Sequence, residues 1–585
     1  MRPFTYLRLA VFLLLPFLFS CRQPPPSNPA AGTAKPEQRT IGTRGGKLVY
    51  RVSSPPKTFN YLLANDEHSI LTAFFLLNSR LVEFDHSKQA YVPGLAETWT
   101  TGSDGRSVDI RLRDGLKFSD GQPLTSSDVA FTLEAIYDER TKAEVFRDAL
   151  LINGKPISVK VIDERNLQFV FPETIAARDN YLYNIAVLPR NALEADQKAG
   201  RLSEAWKITA PPASVVSSGP FIVESAAAAE RIVLKRNPYY WKRDAQGTQL
   251  PYLDELTLQV VPDANQARVG LDQATIDIVD RIRPTDYASL LNAGGAVRAF
   301  DLGPSLGVDY IWFNLNPANP EGSRRNPATL AWFSDARFRR AVSMAVDRDS
   351  IARSTLQGLA TPLYGVVSPA NRMWANPDLP KIAYDLGQAA SLLQEAGFTK
   401  RGAADAPELL DAQGNRVEFA LLVPAENEPR KLMAAVIQED LAKLGIKMHV
   451  VPIEFAAITN AWTKSHEYDA ILLGLSVTDL EPSTYANLLL SSGEAHQWRP
   501  NQKSPSTEWE TKVDELFAEQ ARESDPEKRK SKFHEIQRIV ADASPVITIV
   551  SRHVVSAANS RVGNFSPSPM FPYSMWNAEE LFIKQ

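Results

Sequence analysis

SVDIRLRDGLKFSDGQPLTSSDVAFTLEAIYDE, residues 107–139, changes its hydrophobic period part-way along. Val108, Ile110 and Leu112 alternate with polar residues, the two-residue period of a strand with one buried face. Asp114-Gly115 supplies a turn, after which Leu116 and Phe118 resume the alternation. A two-residue loop would set Leu112 opposite Lys117, whereas one residue more sets it opposite Phe118, so a three-residue or bulged hairpin turn is expected. Past Gly121 the pattern becomes helical: Thr125 can cap, Asp128 can answer it, and Val129, Leu133 and Ile136 follow. A hairpin feeding a capped helix indicates a mixed α/β chain.

The same mixture continues outward. Phe338, Ala341, Val342, Ala345 and Val346 form one buried stripe on a helix beginning at Ser334, with Arg337, Arg339 and Arg340 on the other face. Asp385 caps a helix carrying Ala389, Leu392, Leu393 and Ala396, which Gly397 stops. Met433, Val436, Ile437, Leu441 and Leu444 mark a helix over 430–444, and Ile446, Met448 and Val450 alternate as a strand after Gly445. Tyr468 to Leu475 reads as a buried strand, followed by the loop SVTDLEP with its carboxylates Asp479 and Glu481. Ligands of open α/β sheets collect beyond the carboxyl ends of strands, so this pair is a candidate for acid/base chemistry, metal ligation or capture of a cation.

At 585 residues the chain exceeds what one hydrophobic core serves, and two or three domains are expected. Its 44% hydrophobic and 23% charged content is that of a globular protein, and a net charge of −4 offers no basic surplus for nucleic acid. Residues 1–20 read as an export signal: Arg2 and Arg8 stand near the 11-residue apolar run Leu9–Phe19, which is shorter than a bilayer span. Leu18-Phe19-Ser20-Cys21 resembles a bacterial lipobox, and Cys21 is the sole cysteine, so lipidation is its expected chemistry and no intramolecular disulfide can form. The Pro-rich stretch 22–45 reads as a tether, reaching roughly 25 to 30 Å as a flexible coil.

Enzymatic motifs are weak. GPSLG, Gly303 to Gly307, matches the G-x-S-x-G nucleophile pattern, yet the β-forming run VDYIWFNLN follows where a helix is required, so Ser305 is at most a remote candidate nucleophile. The seven histidines make no H-x-x-x-H or H-E-x-x-H, no P-loop is present, and no cofactor is expected. Asp66-Glu67-His68 could contribute to a site assembled from distant segments, although a solvated polar loop is the commoner role of such a triplet. Most tryptophans are assigned to packing; Tyr310 and Trp312, projecting to one side of a strand, are expected to wall a cleft.

Several stretches together resemble the solute-binding lipoproteins of bacterial oligopeptide, dipeptide and nickel importers. PGLAETW (93–99), RLRDGLKFSDGQPLTSSDVAF (111–131), SSGPF (217–221), KRNPYYW (235–241), SDARFRRAVSMAVDRDSI (334–351), DLGQAASLLQEAGF, LAKLGI and ASPVITIV (543–550) occur in the family's order. The resemblance spans nearly all of 46–585 and implies an α/β, two-lobe periplasmic-binding-protein-like fold with an additional domain and a hinge between lobes. A family-like division makes 46–80, 210–302 and 545–585 a discontinuous lobe I, 81–209 its additional domain and 303–544 lobe II.

The resemblance also implies function. The chain would be a monomeric, non-enzymatic receptor, lipid-anchored through Cys21 on the periplasmic side of a membrane, that binds oligopeptides between its lobes. It would deliver them to an ABC permease driven by a separate ATPase; a nickel chelate, haem or sugar oligomer is the alternative cargo. In peptide binders of this family an aspartate after a strand pairs with the ligand ammonium. Asp479 is the positional match, with Glu481 as the next landmark, although the spacing differs by one and tryptophan is absent at Leu475 and Ser476. The loop Asp66, Glu67 and His68 and the strand of Tyr310 and Trp312 are placed near the ligand main chain by the same resemblance.

Overall fold

The computed structural model describes residues 39–584 apart from 228, 294, 318–325, 404, 405, 478, 494, 495, 501 and the side chain of 293. Residues 1–38, on which the expected export signal, Cys21 and most of the expected tether fall, lie outside the described residues.

The chain enters through β1 (Lys47–Val52), whose alternate residues Leu48, Tyr50 and Val52 are buried. It then builds a separate antiparallel sheet from β2 (Ala96–Thr101), β3 (Ser107–Leu112), β4 (Ser158–Val161) and β5 (Asn166–Val170), in the spatial order β2-β3-β5-β4. Helix α1 (Ser126–Tyr137) starts where expected: Thr125 N donates to Asp128 Oδ2 at 2.8 Å, closing a capping box.

The hairpin expected across Asp114-Gly115 does not form. Gly115 takes the left-handed turn, with φ of 66°, but β3 is already paired on both edges by β2 and β5, so the residues beyond the turn find no free ladder. They close on themselves instead, Phe118 N donating to Gln122 O at 2.9 Å and Leu124 N to Leu116 O at 3.0 Å.

The chain returns with β6 (Phe221–Ala227), β7 (Arg231–Arg236) and β8 (Glu255–Val260); β8 runs parallel to β1, and β9 (Ile278–Val279) takes the other side of β1. From there β10 (Val297–Pro304), β11 (Val308–Phe313), α2 (Ala336–Met344), β12 (Ala360–Pro362) and α3 (Leu386–Glu395) lead into the second lobe. That lobe is completed by β13 (Glu418–Pro424), α4 (Glu428–Lys443), β14 (Lys447–Ile453), β15 (Ala470–Leu475), α5 (Glu508–Arg522) and α6 (Pro526–Ala543).

The 14-residue strand β16 (Val546–Asn559) joins the lobes. Its C-terminal half, from His553 to Asn559, pairs with β10, while residues 546–552 pair with β11 and β12. The spatial order is β6-β7-β8-β1-β9-β16-β11-β15-β13-β14, with β10 and β12 also on β16. Each lobe keeps its own core. In lobe I, Leu48, Leu256 and Leu258 are continuous with Val108, Ile110 and Phe169 of the separate sheet. In lobe II, Ile311, Phe313, Phe419 and Met433 fill one side of the sheet and Tyr310, Trp312, Trp498 and Phe533 the other.

The stripe Phe338, Ala341, Val342, Ala345 and Val346 is buried as its spacing predicts, although the helix, capped by Asp335, ends at Met344 and leaves Ala345 and Val346 in the turn after it. One of the arginines assigned to the opposite face is buried too. Arg339 donates to the carbonyls of Phe333, Ala543 and Ser544, at 2.7, 2.7 and 2.9 Å, because the C-terminus of α6 presents unpaired carbonyls to this edge of α2.

Candidate functional site

Where β16 passes from one lobe to the other, the lobes leave a cleft of about 760 Å³. Lobe I contributes Asp66, Glu67 and Arg281; the crossover contributes Ser305, Arg552 and His553; lobe II contributes Asp309, Arg430 and Gly474 to Val477. The volume lies within the range of about 300 to 1,000 Å³ usual for pockets that enclose small ligands.

Asp309 dominates the lobe II wall. Only 2% exposed, it sits near the start of β11, opposite Gly474 of β15. Arg430, from the first turn of α4, donates Nε to Asp309 Oδ1 at 2.8 Å, and Arg552 of β16 places Nε 2.9 Å from Oδ2. A carboxylate so buried has to be paired, since its desolvation costs several kcal/mol. Gly474 makes room for the pairing: a Cβ there would lie 2.4 Å from Val308 O, 2.7 Å from Arg430 Nη2 and 3.1 Å from Asp309 Oδ1.

On lobe I, Asp66 and Glu67 line the cleft while His68 does not. Asp66 caps the helical turn Glu67–Ser69, accepting from Ser69 N at 3.0 Å and Ser69 Oγ at 2.7 Å, and Glu67 pairs with Arg281. His68 is turned inward, its Nε2 accepting from Ser53 N at 3.1 Å, and burial lowers its pKa, which favours the neutral ring that this bond requires.

Tyr310 and Trp312 do not wall the cleft. Both are fully buried: Tyr310 donates its hydroxyl to Gln497 Oε1 at 2.6 Å, and Trp312 packs edge-on against Trp462. Their strand is central, with β15 and β16 on its edges and side chains covering both faces, so neither side of it meets solvent.

Asp479 is also absent from the cleft lining. Its Oδ1 accepts from Glu481 N at 2.9 Å and its Oδ2 from Asn180 Nδ2 at 2.8 Å, so it braces its own loop and ties lobe II to the segment 81–209. Glu481, 4% exposed, pairs with buried Arg529 at 2.7 Å. Neither carboxylate is brought to the ligand-sized space, although the residues just before them, Ser476 and Val477, do line it. Ser305 lies between strands β10 and β11 rather than between a strand and a helix, its Oγ bonded to Gly307 O at 3.3 Å. The nearby His553 is committed to Asp301 at 2.9 Å and Thr361 at 2.8 Å.

Asp309, Arg430 and Arg552 are the site residues that the sequence reading missed. A polar residue within the otherwise apolar-aromatic run VDYIWF was the available signal. A charge that interrupts a central strand needs a partner, and partners 121 residues away at Arg430 or on the crossover strand at Arg552 leave no local pattern.

The model of the bacterial extracellular solute-binding proteins, family 5 Middle, matches residues 90–497. A probable ABC transporter-binding protein of Deinococcus radiodurans is 30% identical over 517 residues, covering 84% of both chains. The oligopeptide-binding protein AppA of Bacillus subtilis is 25% identical, over 93% of this chain and 92% of its own. Among solved structures, the ABC transporter substrate-binding protein CtaP of Listeria monocytogenes superposes with a TM-score of 0.73 at 21% identity, covering 93% of this chain and all of its own.

Proposed function

The chain belongs to the family 5 bacterial extracellular solute-binding proteins, and from that premise we propose that it is the substrate-binding component of an ABC importer, taking oligopeptides into the inter-lobe cleft. Delivery would be to a membrane permease powered by a separate ATPase subunit. The observation that carries this reading is the position of the cleft: it opens where β16 changes lobes, so hinge motion about that strand changes the cleft and the outer surface together. The function carried by the name of the Bacillus relative supports peptide as the cargo.

The cleft's chemistry is compatible with that cargo. The end of β15 and the residues after it, Gly474 to Val477, offer backbone beside the cavity for strand-like pairing with a peptide main chain, which is indifferent to side-chain identity. Asp66 and Glu67 give the lobe I wall an acidic pole suited to the ligand's ammonium, with Arg281 balancing Glu67. Under this reading the units that move follow the division 46–80 with 210–302 and 545–585, 81–209, and 303–544, except that residues 546–552 of β16 travel with the lobe II strands they pair with. Cys21 would carry the lipid that holds a monomeric receptor at the membrane.

Thermal denaturation against pools of di- to decapeptides tests the cargo. A ligand at about 100 times its Kd stabilises the native state by about 2.7 kcal/mol, a shift of a few degrees in Tm. A rise with at least one pool is expected, and native mass spectrometry of the purified protein should find a copurified peptide. Flat melting curves with every pool, together with a copurified haem, metal chelate or sugar, would overturn the peptide reading.

A further inference from the structure

The basic side chains of the cleft are not equally engaged. Arg281 is paired with Glu67, and Arg430 spends both Nε and Nη2 on Asp309 Oδ1. His553 is held between Asp301 and Thr361. Arg552 differs: its Nε lies 2.9 Å from Asp309 Oδ2 in an ion pair, and its side chain remains 39% exposed in the cleft lining. No hydrogen-bond partner of its guanidinium is found among the described residues.

One carboxylate, Asp309, thus faces two guanidinium groups, and the second charge is left over. The ion pair tethers the Arg552 guanidinium at the cleft wall, and its planar fork of donors keeps its hydrogen-bonding capacity. That geometry matches a carboxylate end-on, and a fork already held in place loses less freedom on binding than a free arginine would. Its place matters as much as its charge. Arg552 pairs with Ala360 in the last lobe II position of β16, and His553 beside it pairs with Pro304 at the first lobe I position. A ligand group bound there is enclosed from both sides when the lobes meet, and a buried anion requires such a partner.

We propose that Arg552, oriented by Asp309, is a specificity-determining residue that binds a carboxylate of the cargo, so that the receptor selects peptides carrying an anion at the hinge end of the cleft. This rests on the peptide reading above. The carboxylate is either the peptide's own C-terminus or an acidic side chain.

The test takes the most stabilising peptide from the pools and compares it by calorimetry with its C-terminal amide and with variants in which Asp or Glu is replaced by Asn or Gln. The wild-type protein should prefer the acid by roughly 30-fold or more over one of these partners, which also identifies the carboxylate read. In Arg552→Ala the preference should fall to within about threefold, with Arg552→Lys in between, since lysine keeps the charge and loses the fork. A purely structural role for Arg552 would weaken acid and neutral forms alike and leave their ratio unchanged. Equal binding of acid and neutral forms by the wild type overturns the inference without needing the variant, and leaves peptide binding standing. A preference that survives Arg552→Ala overturns it as well. Failure of every peptide to bind overturns the peptide reading and this assignment with it.

Discussion

Asp309 and Asp479 stand at the same end of the lobe II sheet. Asp309 is on β11 opposite Gly474, and Asp479 follows the end of β15 in the next loop. Asp309 is held by two arginines from different parts of the chain and borders the cleft. Asp479 is held by an asparagine and a backbone amide and borders the seam with the segment 81–209, where Ala176 N also donates to Ala521 O at 3.0 Å and Gln89 Nε2 to Ala370 O at 2.7 Å. Asp479 lies beyond the carboxyl end of β15, and Asp309, near the start of the antiparallel β11, faces the same end of the sheet. What separates them is the partner: opposed guanidinium groups leave a surplus donor facing the cleft, whereas neutral amides use up the carboxylate on the spot.

The loop around Asp479 should be the more important of the two for stability and the less important for binding. Its strongest member is the pair Glu481–Arg529, with side chains 5% and 8% exposed and the guanidinium also stacked 4.6 Å from the centre of the Trp374 ring. Glu481→Ala strands a buried guanidinium, and a loss of about 3 to 5 kcal/mol is expected in a denaturant titration. A loss under about 1 kcal/mol would mean that solvent reaches Arg529, and the loop would then be free to serve the ligand.

At the Asp309 end the expected loss of stability is smaller and the loss of binding larger. Gly474→Ala drives a Cβ against Val308 O and Arg430, contacts that the backbone must shift to relieve. Overpacking of this kind costs about 1 to 3 kcal/mol. Because the displaced group is the arginine that holds Asp309, peptide affinity should fall by more than the same destabilisation causes elsewhere. Calorimetric titration on the folded fraction separates the two effects.

Much of the fold was legible because local chemistry decides it. Thr125 with Asp128, Asp385 before α3 and the stripe from Phe338 to Val346 act within a few residues of themselves, and each appears in place. The hairpin after β3 does not form because pairing depends on which edges are free, and β5 reaches β3 from more than 50 residues away. The site suffered from the same limit. Position after a strand singled out Asp479, but the direction in which a loop side chain turns is decided by Asn180, almost 300 residues earlier. Tyr310 and Trp312 do share one face of their strand, yet whether a face meets solvent depends on how many layers cover the sheet.

The smallest effect is also the sharpest discriminator. Asp479→Asn keeps an oxygen for the amide of Glu481 but sets a second amide against Asn180 Nδ2, so one of the two must turn over or lose its bond. At a half-buried neutral contact this costs on the order of 1 kcal/mol or less. Removing the charge from a carboxylate that pairs with a desolvated ligand ammonium would instead cost about 2 kcal/mol or more in affinity. With Asp479 spent on the seam, the Kd of the peptide should change by no more than about threefold. The companion variant Asn180→Ala should loosen the seam to the same slight degree, read as faster amide exchange at Ala176 and Glu481 with unchanged affinity. A tenfold or greater loss of binding in Asp479→Asn alone would show that the loop turns inward when ligand is present, moving the ammonium anchor from the lobe I wall to Asp479.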